Sequence, residues 1–101
     1  MSLLELIKEI DAYPTEGIVF AQRIDGSFHA SSEAIVLELS EDELRLRTEE
    51  VARSRCPGKS YFLEVSIVLE WLSDLGSSQP GVVIDYNQAC ERIISYAEND
   101  A

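Results

Sequence analysis

Basic residues are scarce in this chain: 8 Lys and Arg stand against 19 Asp and Glu, a formal net charge of −11 over 101 residues. That balance leaves no basic stripe to neutralise phosphates, which argues against a nucleic-acid interface. The same sign disfavours attachment to an anionic membrane surface. No apolar run approaches the roughly 18 residues that a membrane-spanning helix needs. The opening residues, MSLLELIKEI, carry acids among their apolar positions and lack a basic segment ahead of an apolar one, so they do not read as a signal peptide. Histidine occurs once, at position 29, and cysteine twice, at 56 and 90. No CxxC or Cys/His spacing is present, so neither a structural zinc, nor another metal, nor a cofactor is expected. A cytoplasmic protein with both thiols free is the expectation. Repeats, low-complexity tracts and interior linkers are also lacking, which leaves one domain over residues 1–101.

The residues that are present describe an α+β protein. A chain of this size buries roughly two-thirds of its unfolded surface, enough for one modest core, and 46% of its residues are hydrophobic. Ser2 with Glu5 fits a capping box. It opens a helix over residues 2–12 with Leu3, Leu4, Ile7 and Ile10 on one face, and Pro14 ends it. Residues 18–24, IVFAQRI, read as a strand, followed by the hairpin signal Asp25-Gly26. A second strand is expected at 34–39. Ser40 with Glu43 repeats the capping box and predicts a helix over 41–53. Its apolar stripe is thin, however, and Leu44-Arg45-Leu46-Arg47 alternates like a strand. Cys56-Pro57-Gly58 breaks the chain.

Residues 60–75, SYFLEVSIVLEWLSDL, form the densest apolar segment and hold the only tryptophan, Trp71. Phe62, Val65, Leu69 and Leu72 make a helical stripe, so the length favours one helix. The alternative is a strand at 61–65 with Ser66 capping a shorter helix. Residues 76–81 read as a loop and 82–84 as a short strand. Asp85 with Gln88 opens a last helix over 86–98, whose buried face is Tyr86, Ala89, Cys90, Ile93, Ile94 and Ala97. The whole is three or four helices packed on a small, mostly antiparallel sheet.

Two segments together, Tyr61-Phe62-Leu63-Glu64-Val65 with Glu70-Trp71-Leu72, and Tyr96-Ala97-Glu98-Asn99-Asp100, resemble a family of small bacterial proteins of unknown function. The similarity covers roughly the C-terminal 40 residues. It implies a bacterial cytoplasmic protein of α+β type and brings no catalytic or binding residues with it.

Site-like features gather just before residue 60. Gly58-Lys59-Ser60 ahead of a helix is similar to the end of a phosphate-binding P-loop, but Arg53 stands where that loop requires a glycine. A helix starting at Ser60 and flanked by Arg53, Arg55 and Lys59 is a candidate anion site at its N-terminus, beside the plainer reading of an ordinary turn and cap. Cys56, read as lying in an exposed turn among those cations, is expected to have a lowered pKa and to be the more reactive of the two thiols, although a structural or incidental role is the plainer reading than a nucleophile. A His29–cysteine nucleophile lacks an orienting third group, and Cys90 reads as buried. The acids Glu41-Asp42-Glu43 and Glu49-Glu50 are explained by helix dipoles. Tyr13, Tyr96 and Trp71 are candidate interface residues, although Trp71, like Tyr61 and Tyr86, also fits the core.

With no catalytic constellation, the expected function is non-enzymatic: a small acidic domain that binds another protein, such as an immunity or inhibitor protein capping a basic partner. The alternatives are an anion-binding or thiol-based module centred on residues 53–60, and a homodimeric structural or regulatory subunit.

Overall fold

The computed structural model describes residues 1–77 and 84–99. Within them the α+β expectation holds: five α-helices accompany one three-stranded antiparallel sheet. The strands are β1 (Ile18–Ala21), β2 (Ala34–Leu37) and β3 (Ser60–Glu64), in the order β2-β1-β3. Among the described residues no helix is long and apolar enough to cross a membrane.

Helix α1 (Leu3–Lys8) starts at the expected box: the Glu5 N–H donates to Ser2 Oγ, and the Glu5 carboxylate accepts from the Ser2 N–H. It is shorter than its sequence pattern. The chain tightens into a 3-10 turn over Ile10–Ala12, which keeps Ile10 buried before Pro14. The Asp25-Gly26 signal is correct locally. Both residues have positive φ (52° and 85°), and Ile24 and Ser27 exchange backbone hydrogen bonds across them, the geometry that a tight two-residue turn demands.

The helix predicted over 41–53 is two helices, α2 (Glu41–Leu44) and α3 (Thr48–Arg55), which accounts for a fifth helix where at most four were expected. The thin apolar stripe cannot hold one long helix on the sheet. The break at Arg45–Arg47 exposes Leu44 and Leu46 and turns Val51, Ala52 and Cys56 inward.

The segment 60–75 follows the alternative reading of a strand and then a shorter helix, except that Ser66, expected as the cap, lies inside the helix. Ser60–Glu64 is a strand, and helix α4 (Val65–Ser77) begins at Val65, whose N–H donates to Gly17 O at 2.9 Å. Helix α5 (Tyr86–Asn99) opens on Asp85, whose carboxylate accepts from the Asn87 and Gln88 N–H groups. Of the expected loop and short strand at 76–84, residues 78–83 lie outside the described residues.

Two apolar clusters sandwich the sheet. On one face Val19, Ala21, Phe62 and Leu63 pack with α1, α4 and α5 through Leu3, Leu6, Ile7, Val65, Val68 and Ile93. On the other, Ile18, Phe20 and Leu37 pack under Val51, Ala52 and Cys56 of α3. All four residues of β1 are therefore buried, as expected for a central strand covered on both sides. Fully burying a side chain the size of Phe20 or Phe62 stabilises the fold by about 1.5–3 kcal/mol.

Candidate anion-binding groove

The antiparallel pairing of β1 with β3 sets Ala21 opposite Ser60. It thereby carries the residues following β1 to the turn that precedes β3. At that corner a half-open groove of about 510 Å3 is lined by Arg23, Thr48, Glu49, Ala52, Arg53, Pro57, Gly58, Lys59, Ser60 and Tyr61. Three of the eight basic residues of an acidic protein line this one depression.

Each cation is positioned by a different local feature. Arg23 is braced: its guanidinium lies 4.3 Å above the centre of the Phe28 ring, and Nη1 donates to Gly26 O at 3.2 Å. Its other contact is a long one, 3.7 Å, to Glu98 Oε1 on α5. Arg53 projects from α3, one turn after Glu49. A Glu–Arg pair at that spacing is favourable on a helix, yet among the described residues no ion pair within 4 Å engages Arg53 or Lys59. Lys59 follows Gly58, whose φ of 88° reverses the chain without the steric penalty another residue would meet. The Lys59 N–H closes the turn on Cys56 O at 3.1 Å.

The first turn of α3 adds to the same field. Thr48 and Glu49 line the groove, and Arg47, the N-cap residue, makes no side-chain hydrogen bond to the helix start. The positive end of the α3 dipole thus lies at the groove. Tyr61 contributes its ring, fixed edge-to-face on Phe20 with centroids 6.3 Å apart. Burial, then the charges of Glu64 and Tyr96, push its phenol pKa up, so the hydroxyl stays neutral at pH 7.

Three of the five residues expected before position 60 meet here: Arg53, Lys59 and Ser60. The other two do not. Arg55 is turned to α2, where Nη1 bonds both carboxylate oxygens of Glu43 at 2.8 and 2.9 Å. Cys56 is not in an exposed turn; it is 6% exposed, in the cluster beneath α3. Burial pushes its thiol pKa up, outweighing the pull of Lys59 and Arg55. The expectation of a lowered pKa and a reactive thiol is therefore corrected. No helix starts at Ser60, so the expected helix N-terminal anion site there is also replaced; the helix end at the groove belongs to α3. Cys90 is fully buried, and burial, with Glu91 adding, pushes its pKa to about 11. His29 lines a separate depression with Phe28, Ala30, Ser31, Glu91 and Ile94, where neither cysteine takes part.

Sequence reasoning missed Arg23 and Thr48 as site residues, read Glu49 as a helix-dipole acid and placed Tyr61 in the core. The signal for Arg23 was strand pairing: with residues 60–64 read as a strand beside β1, the position two residues past β1 falls beside the 53–60 turn.

The three candidate interface aromatics are half-buried and pack against the larger core. Trp71 and Tyr96 pair at 5.4 Å between centroids and line a shallow depression with Arg92 and Ser95. The Tyr13 hydroxyl approaches Met1 Sδ at 3.5 Å. Among the described residues no group of three or more His, Cys, Asp or Glu side chains converges as a metal site would require. Comparison with protein families, with curated proteins and with solved structures returns no match to this chain.

Proposed function

We propose that this domain is a non-catalytic recognition module that takes a phosphate-type anion in the groove between α3 and the start of β3. The observation that carries this reading is the convergence of Arg23, Arg53 and Lys59 on one depression of an otherwise acidic surface. Among the described residues Arg53 and Lys59 have no ion-pair partner within 4 Å, and an anion seated between them and Arg23 relieves their mutual repulsion. The braced Arg23 guanidinium also presents its N–H groups in a fork that matches the oxygens of phosphate in pairs.

Inorganic phosphate is expected to raise the melting temperature relative to chloride at equal ionic strength. At a ligand concentration tenfold above Kd the gain is about 1.4 kcal/mol, which for a domain of this size is a shift of several degrees. Arg53→Ala and Lys59→Ala change exposed or half-exposed side chains and are expected to abolish the shift while leaving the unliganded melting temperature nearly unchanged. Equal shifts in phosphate and chloride, or a phosphate shift that persists in both variants, overturn the reading.

A second reading is an acidic domain that binds a basic protein, as an immunity or inhibitor protein does. It is favoured by the excess of acids over bases, 19 Asp and Glu against 8 Lys and Arg, which leaves the chain a formal net charge of −11.

A further inference from the structure

The groove is larger than a phosphate ion needs, and its lining is not uniform. Volumes of roughly 300–1,000 Å3 are those of pockets that enclose an organic ligand, and this one is about 510 Å3. Beside the cations the lining includes two residues with apolar bodies, Tyr61 and Pro57. Both are already rigid. Tyr61 is locked by its edge-to-face contact with Phe20, and Pro57 has a fixed backbone φ. A flat group packing there would order little that is still mobile, so the contact carries a small entropic cost. Glu49 is the remaining charged lining residue. It accepts hydrogen bonds only, and even with Glu98 beside Arg23 the three lining cations outnumber the carboxylates. That net positive charge suits a phosphate monoester, which is anionic at pH 7, and the Glu49 carboxylate is suited to a ligand N–H or O–H.

We infer that the groove binds a phosphate monoester that carries a flat ring, the class to which nucleoside monophosphates belong, with the phosphate among Arg23, Arg53 and Lys59 and the ring against Tyr61. This rests on the anion-binding reading given above and adds the identity of the organic part.

Calorimetric titration with inorganic phosphate, glycerol phosphate and adenosine monophosphate separates the two. Base–aromatic stacking predicts that adenosine monophosphate binds about tenfold or more tighter than glycerol phosphate. In Tyr61→Leu, which keeps apolar bulk over Phe20, that preference is expected to vanish while glycerol phosphate binds as before. A thermal melt confirms that the variant is folded. In the wild-type protein the Tyr61 ring protons are expected to shift upfield on titration with adenosine monophosphate and to stay in place with glycerol phosphate. Equal affinity for the two monoesters, or a preference that survives in Tyr61→Leu, overturns this inference and leaves the anion site standing. Failure of all three ligands to bind overturns the anion site and this inference with it.

Discussion

Cys56 and Cys90 illustrate at the scale of single residues how burial competes with nearby charge. Lys59 and Arg55 favour a thiolate at Cys56, but transfer of that thiolate out of water costs more, and the pKa moves up. At Cys90 no cation competes, and the shift reaches about 11 from an ordinary 9.0. Both thiols are therefore protonated at pH 7 and act as small apolar groups beneath their helices. The consequence for stability has a definite sign. Above pH 9 an unfolded chain releases the Cys90 proton while the native protein retains it, so the unfolded state binds fewer protons and stability falls. The contribution is fully present below pH 9 and is lost as pH rises through about 11. Thermal melts are expected to show this decline, and Cys90→Ala is expected to make it shallower. A Cys90→Ala profile as steep as that of the wild-type protein would show that the thiol does not report its burial. The basic neighbourhood of Cys56 was visible in sequence, but the buried face of α3 that overrides it depended on where the helix broke.

At the scale of elements, the helix starts were the most readable features. The boxes at Ser2/Glu5 and Ser40/Glu43 form as expected, and Asp85 caps α5. Local hydrogen bonds of this kind are encoded in three or four adjacent residues. Strand β3 was harder to read for a physical reason. Its register slips opposite Val19 and Phe20, and Phe62 and Leu63 are both buried in the cluster beside α1, α4 and α5. A bulge thus replaces the alternation that marks a half-buried strand, and the surviving pattern is continued by the stripe of α4. The division of 41–53 into α2 and α3 showed in the sequence only as a thin apolar stripe and the alternation at 44–47; the Arg55–Glu43 pair that clasps the two helices spans twelve residues. That contact supplies a prediction. The Glu43 carboxyl is held below its ordinary 4.5 first by the Ser40 backbone N–H and then by Arg55. A depressed carboxyl stabilises the fold above its ordinary pKa, and that stabilisation is lost as pH falls through the lower, folded value. Acidification is expected to release the amides of α2 and the last turn of α3 to hydrogen exchange before those of α1, α4 and α5. Glu43→Gln is expected to produce the same local release at neutral pH. Simultaneous exposure of all five helices would mean that the α2–α3 clasp is not a separate unit.

Over the whole molecule, two opposite electrostatic facts coexist: a net charge of −11 and a groove that gathers three cations. The first was legible from composition. The second was legible only in part, because Arg53, Lys59 and Ser60 are close in sequence whereas Arg23, thirty or more residues earlier in the chain, arrives through the pairing of β1 with β3. Composition alone favours a basic partner, whereas the topology supports the anionic ligand proposed above, and the acidic surface can be probed through its response to salt. Like charges spread over a small surface repel in the compact state more than in the open chain. Screening shortens their reach to about 8 Å at physiological ionic strength. Sodium chloride is therefore expected to raise the melting temperature steadily from low to physiological salt, in the wild-type protein and in Arg53→Ala alike, because the effect belongs to the whole acidic surface. A melting temperature that falls with sodium chloride would show that attractive pairs, such as Arg55–Glu43 and Arg23–Glu98, outweigh the repulsion among the remaining acids. The acidic surface would then lose its claim to be the part of the molecule awaiting a basic partner, and the groove would stand as the dominant electrostatic feature.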